Sequence, residues 1–171
     1  MEVILLKHPT DKDWMECKRR ALVTMGKEVK TAPTMEWKRK MLKARHSPIR
    51  YLQFSFYLKD IPYFSSVHLC RHVHLIPYVK SQRNDRQSEY DRNTARQDSP
   101  VDMIIDCNAE EFMTVCNKRL CNKADKVTRM IVQMMCDCVT KSNFEFIPFM
   151  VPNCQYLNGC PEFEPCGFNK R

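Results

Sequence analysis

No apolar run in this chain approaches the roughly 20 residues that a membrane-spanning helix needs, so no spanning segment is expected and the membrane is not its partner. The opening Met1-Glu2-Val3-Ile4-Leu5-Leu6 is too short for the core of a signal peptide and has no cationic start. With no export signal the expected compartment is the cytoplasm. Internal repeats are missing, and nothing marks a second globular domain. Helix-turn-helix, zinc-finger and aromatic stacking signatures are missing too, which ranks nucleic acid last among the partners that positive charge would suit. That charge is real: Lys+Arg 28 against Asp+Glu 20 gives +8 over 171 residues. Such an excess favours phosphates, nucleotides and other acidic partners without choosing among them. The length suffices for one domain with a sizeable core.

Cysteine is plentiful, at ten residues, and without an export signal it reads as reduced thiols or metal ligands rather than as disulfides. The tight Cys-x-x-Cys of common zinc sites does not occur. Cys154, Cys160 and Cys166 nevertheless recur at equal spacing in the tail over residues 148–171, beside Cys136 and Cys138 on the preceding helix. Three or four thiolates there would clamp a Zn²⁺ and order a tail with little core of its own; buried or free thiols are the alternative. Cys17, Cys70, Cys107, Cys116 and Cys121 are expected to be small buried hydrophobes.

The pattern along the chain predicts a strand over residues 3–6, ended by Pro9, then a helix carrying Trp14, Cys17, Ala21, Leu22 and Met25 behind a Thr10 or Asp11 cap. A short helix follows over residues 34–42. Residues 51–58 alternate, with Leu52, Phe54, Phe56 and Leu58 on one face. Pro62 suits the first turn of a helix running to Arg71-His72. Residues 80–100 are polar and predict an exposed loop, long enough for a functional lid. Asn108 followed by Glu111 resembles a capping box for a helix with Phe112, Val115 and Leu120. Asn122 is placed to cap another, with Ala124, Val127, Ile131, Met134, Met135 and Cys138 as one apolar stripe.

Two basic clusters stand out. Arg71-His72 ends a predicted helix and Ser81-Gln82-Arg83 follows soon after. Two guanidiniums converging on one phosphate would offer forked donors, with the Ser81 hydroxyl as a further donor. Surface placement of Arg71 and Arg83 is the plain alternative.

His46-Ser47-Pro48 running into the alternating Phe54-Ser55-Phe56, then residues 65–72, then Ser81-Gln82-Arg83, resembles the flavin-dependent thymidylate synthases. Their signature Arg-His-Arg-x-x-Ser-x-Asn-x-x-Ser-x-Arg-Tyr is matched at Arg71, His72, Ser81 and Arg83, and departed from at Val73, Ile76, Tyr78 and Asn84. His68 replaces a Gln and Arg50 a Glu of the same family. A second block agrees independently: Asn108, Arg119, Leu120, Ala124 and Arg129 fall at the family's offsets.

The resemblance implies an α/β fold of the α+β type, a single domain with a central sheet flanked by helices over residues 1–147, followed by the Cys/Pro-rich tail. It implies a homotetramer with FAD and dUMP bound where subunits meet, methylating ring carbon 5 of dUMP to give dTMP with methylenetetrahydrofolate as carbon donor and NADPH as reductant. By position, His68, Arg71, Ser81, Arg83 and Arg119 would hold the nucleotide, with Arg119 the catalytic residue beside the pyrimidine. Ser47, Arg71, His72 and Asn108 would meet the flavin. The departures keep a second reading open: a protein of the same fold that binds a pyrimidine nucleotide without turnover, or modifies a different one.

Overall fold

The computed structural model describes residues 1–87 and 91–169. The chain runs through β1 (Glu2–Lys7), α1 (Asp11–Val23), α2 (Met35–Lys43), a 3-10 turn (Ser47–Tyr51), β2 (Gln53–Pro62), α3 (Tyr63–Cys70), β3 (Ile76–Val79) and β4 (Pro100–Asn108). It then continues through α4 (Ala109–Arg119), α5 (Lys126–Thr140), a second 3-10 turn (Phe144–Phe149) and the single turn α6 (Asn153–Tyr156). The strands make one antiparallel sheet in the order β1-β2-β4-β3. Among the described residues no helix is long and apolar enough to cross a membrane.

Strict alternation on the two central strands builds the core. Phe54, Phe56 and Leu58 of β2 and Val101, Met103, Ile105 and Cys107 of β4 turn one face of the sheet inward. Phe112 of α4 lies 4.9 Å from Phe54 and 5.3 Å from Phe56, and Phe146 meets Phe54 edge-on at 5.1 Å, the offset geometries that aromatic quadrupoles prefer. The other face carries a row read straight across the register, Ile4–Tyr57–Ile104–Tyr78. Tyr78 stays 59% exposed there.

Most expected elements form where the pattern puts them. Thr10 caps α1 in a full capping box with Asp13, and Thr34 caps α2. Four readings need correction. Residues 100–108 form a nine-residue strand, β4, that was not expected, and neither was β3. Pro62 closes β2 and stands at the N-cap of α3 instead of inside its first turn. The cap of α5 is Asp125, so Ala124 precedes the helix, while Asn122 accepts from Arg129 Nη1 at 3.1 Å. The buried stripe of α5 runs through Thr128, Ile131, Val132, Met135, Cys136 and Val139. Of the loop expected over residues 80–100, residues 88–90 lie outside the described ones. Cys17, Cys107 and Cys116 are buried as expected, whereas Cys70 is exposed and Cys121 half-buried. Burial pushes the Cys17 thiol up to about 12.

The two ends of the chain are tied by one buried carboxylate. Trp14 Nε1 donates to Glu145 Oε1 at 2.6 Å, and Asn143 Nδ2 donates both to Glu145 at 3.3 Å and to the Pro9 carbonyl at 2.8 Å. Trp14→Phe keeps most of the apolar volume but leaves this carboxylate short of a donor. We expect it to lower stability by about 1–3 kcal/mol, read as a reduced urea midpoint at unchanged slope.

Candidate anion site at two helix ends

Helices α3 and α4 both finish beside one small cavity of about 270 Å³, lined by Arg71, His72, Lys118, Arg119, Cys121, Lys123, Ala124 and Glu162. Helix C-termini carry partial negative charge, so cations gather there at low cost. Arg71 is the C-cap of α3, and Arg119 is the last residue of α4. The carbonyl of His68, in the final turn of α3, accepts from Arg119 Nη2 at 2.5 Å. A last-turn carbonyl left over by the helix thus finds its donor in a side chain.

Arg119 is steered by a second contact. Its Nε donates to His72 Nε2 at 3.0 Å. A guanidinium has donors only, so His72 must present a lone pair at Nε2 and carry its ring hydrogen on Nδ1. That nitrogen lies 3.4 Å from Glu111 Oε1, with both side chains almost fully enclosed. The result is a line from carboxylate to imidazole to guanidinium. Burial, and then the neighbouring positive charge of Arg71, hold the Arg119 guanidinium below its usual pKa. Two like charges beside a half-enclosed cavity are relieved when an anion enters.

Glu111 is the residue that local reasoning misplaced. Asn108 Oδ1 accepts from its backbone N–H at 2.9 Å, the first half of the expected capping box. The second half does not form, because the carboxylate turns to His72 instead. Lys118, Lys123 and Glu162 were also missed as lining residues; Glu162 comes from the tail and lies 4.0 Å from Lys118 Nζ.

His68 has its own buried partners. Its Nδ1 is 2.9 Å from Thr128 Oγ1, which donates to Ser65 Oγ at 3.2 Å. With the Thr128 hydrogen committed to Ser65, His68 Nδ1 is the donor and Nε2 keeps a lone pair. The His68 ring is thus held by α5 and does not line the cavity; the residue meets Arg119 only through its backbone carbonyl.

The remaining expected residues lie elsewhere on the chain. Ser47 opens the first 3-10 turn and is exposed. That turn is clamped to the start of α4 by Arg50 Nε donating to Glu110 Oε2 at 2.5 Å, a carboxylate well placed at a helix N-terminus. Asn108 caps α4 about 16 Å of helix axis from Arg119. Ser81 and Arg83 follow β3: Ser81 Oγ accepts from the Arg83 N–H at 3.3 Å, and the Arg83 fork closes on Asp85 at 2.9 and 2.7 Å. Within one chain Arg83 does not line the cavity that Arg71 and Arg119 share.

The zinc expectation is not supported. Among the described residues no three His, Cys, Asp or Glu side chains come together to hold a metal. Cys154 is buried, Cys160 half-buried and Cys166 exposed, all as free thiols. Cys136 instead faces Cys116, sulfur to sulfur at 3.5 Å.

No family model matches the chain, and no curated protein does. Solved structures do. Thymidylate synthase X from Helicobacter pylori, crystallised with FAD and dUMP, superposes with a TM-score of 0.68 at 15% identity, over 88% of this chain and 99% of that one. The UMP/dUMP methylase PolB from Streptomyces cacaoi, bound with 5-Br dUMP, gives a TM-score of 0.65 at 15% identity, over 88% of this chain and 96% of that one. At such identities it is the backbone path that is held in common, and in that path the chain has the fold of the flavin-dependent thymidylate synthases.

Proposed function

We propose that the chain is an FAD-dependent methylase of a pyrimidine nucleotide, dUMP first among them, that transfers a one-carbon unit from methylenetetrahydrofolate to ring carbon 5 with NADPH as reductant. The observation that carries this reading is the convergence of Arg71 and Arg119 on one cavity, in a fold whose solved relatives hold FAD and dUMP.

In this reading Arg119 meets the pyrimidine. Its guanidinium is fixed by two contacts before any ligand arrives, the His68 carbonyl and His72, the latter backed by Glu111. A preorganised cation loses little in reorienting when negative charge develops on the uracil ring. Arg71 supplies charge for the nucleotide and the flavin. Ser47 offers a free hydroxyl, and Asn108 spends its oxygen on the helix cap while its amide nitrogen remains a donor. Both are donors suited to the carbonyls and phosphates of a flavin. FAD, when bound, supplies the hydride chemistry.

Ser81 and Arg83 would complete the nucleotide site from a neighbouring subunit of a homotetramer. The half-buried row Ile4–Tyr57–Ile104, with Ile76 and Tyr78 exposed at its edge, supports association: apolar surface of this kind is what a second copy covers. A binding protein without turnover is the second reading, favoured by Val73. It is 87% exposed and apolar where the family has a third signature cation.

The purified protein should be yellow, take up FAD and convert dUMP when folate and NADPH are supplied. A colourless protein that ignores added FAD while binding dUMP would decide for the second reading. Arg119→Ala should lower turnover about a hundredfold or more with circular dichroism unchanged; undiminished activity refutes its role.

Glu111→Gln tests the line behind Arg119. The carboxamide oxygen can still accept from His72 Nδ1–H, so the tautomer that Arg119 requires is kept while the negative charge behind the ring is lost. We expect the His72 Nδ1 and Nδ1–H resonances to shift as a charge-assisted contact becomes a neutral one, and dUMP affinity to fall about tenfold. Unchanged ring resonances would remove Glu111 from the site.

Sedimentation should find a tetramer. Tyr78→Arg should dissociate it to smaller species that keep their melting temperature but lose activity. A wild-type chain that is monomeric at all concentrations would contradict the shared site.

A further inference from the structure

A second and larger cavity, about 720 Å³, lies between α5, the α4–α5 connection and the tail, sharing Cys121, Lys123 and Glu162 with the anion site. Its size is that of a pocket for a small organic molecule. The walls are apolar: Val127 and Met130 from α5, Met150 and Pro152 from the segment after the second 3-10 turn, and Phe168 from the tail. Met130 is 44% exposed and Phe168 57%. Apolar side chains left wet inside a concavity, rather than on a convex surface, are what a ligand's apolar body covers.

The charge at its edge has one sign. Lys126 and Arg129 sit three residues apart on α5 and so share a helix face. Arg129 Nη1 donates to the neutral Asn122, and Lys126 has no acidic partner among the described residues. Lys123 is already engaged, its Nζ donating to the Glu164 carbonyl. The single acid in the lining, Glu162, lies against Lys118. The thiols of Cys154, Cys160 and Cys166 also line this space, so the tail's cysteines border a cavity instead of clamping a metal.

We propose that this cavity binds an organic anion with an apolar body, its carboxylate or sulfonate seated by Lys126 and Arg129 and its aliphatic or aromatic part against Val127, Met130 and Phe168. The site needs no part of the nucleotide reading.

The test uses the full-length protein, with anilinonaphthalene sulfonate as the fluorescent probe and decanoate and decanol as competitors. One saturable dye site is expected, displaced by decanoate about tenfold better than by decanol, since a charge-assisted contact distinguishes them. Lys126→Ala with Arg129→Ala should remove that preference and leave decanol binding as it was. Met130→Glu should weaken both competitors at unchanged near-ultraviolet circular dichroism, because the side chain is partly exposed and the fold does not depend on it. Affinity for dUMP, measured in parallel, should be the same in the Met130→Glu protein as in the wild type. No saturable dye binding, equal affinity for the two competitors, or a double variant that still prefers decanoate would each overturn the proposal. Displacement of the dye by dUMP would overturn it as well, by making the cavity a part of the nucleotide site.

Discussion

Everything at the anion site depends on how one guanidinium is kept half out of water beside another. Arg119 cannot give up its proton, and burial with Arg71 nearby works against its charge. The fold answers with oriented partners rather than with a counter-ion in direct contact: a last-turn carbonyl of α3 and the lone pair of an imidazole. Neither neutralises the positive charge. The cavity therefore retains an attraction for anions that a direct Arg–carboxylate pair would have quenched, and the Glu111 carboxylate acts only through the ring of His72.

That arrangement constrains the packing upstream. For the ends of α3 and α4 to meet, β2 and β4 must pair in their observed register, because each helix begins where its strand ends: Pro62 pairs Pro100 at one end, and Gln53 pairs Asn108 at the other. The Ala109 N–H donating to the Leu52 carbonyl at 2.8 Å locks the start of α4 to the strand beside it. Phe54, Phe56 and Phe112 then fix the distance of the helix from the sheet. A one-residue slip would turn these rings to the other face and carry Arg119 away from His72.

Local pattern revealed the elements whose cause is local. Thr10, Thr34 and Asn108 cap helices because their side chains reach a backbone N–H three residues on, and β2 alternates without a break from Gln53 to Leu58. β4 escaped because Ile104 interrupts the polar side of its alternation, and β3 because four residues with Pro77 among them read as a turn; proline is tolerated there since the strand lies at the sheet's edge. Arg71 and His72 were legible as a basic cluster and Arg119 only through the family resemblance, and their meeting is a product of the fold. Glu111 shows the limit most clearly. Its spacing from Asn108 is that of a capping box, and only the approach of α3 offers the carboxylate a different hydrogen.

The departures from the family signature are consistent with one another when placed on the sheet. Ile76 and Tyr78 pair with Asp106 and Ile104, so they extend the outward row on β3 instead of pointing at the Arg119 cavity. Their loss of polarity removes hydrogen-bonding groups from the edge strand and adds apolar area to the face proposed to meet another subunit. Ser81 and Arg83 follow directly on that strand. If the same strand both docks a neighbour and delivers these two residues to it, then the substitutions strengthen the hold on the partner at the place where the shared site is assembled. Catalytic capacity would rest on the residues that remain polar, Arg71, His72, Ser81, Arg83 and Arg119, and on the exactness with which the docked strand presents the Arg83 fork, now closed on Asp85, to an incoming phosphate.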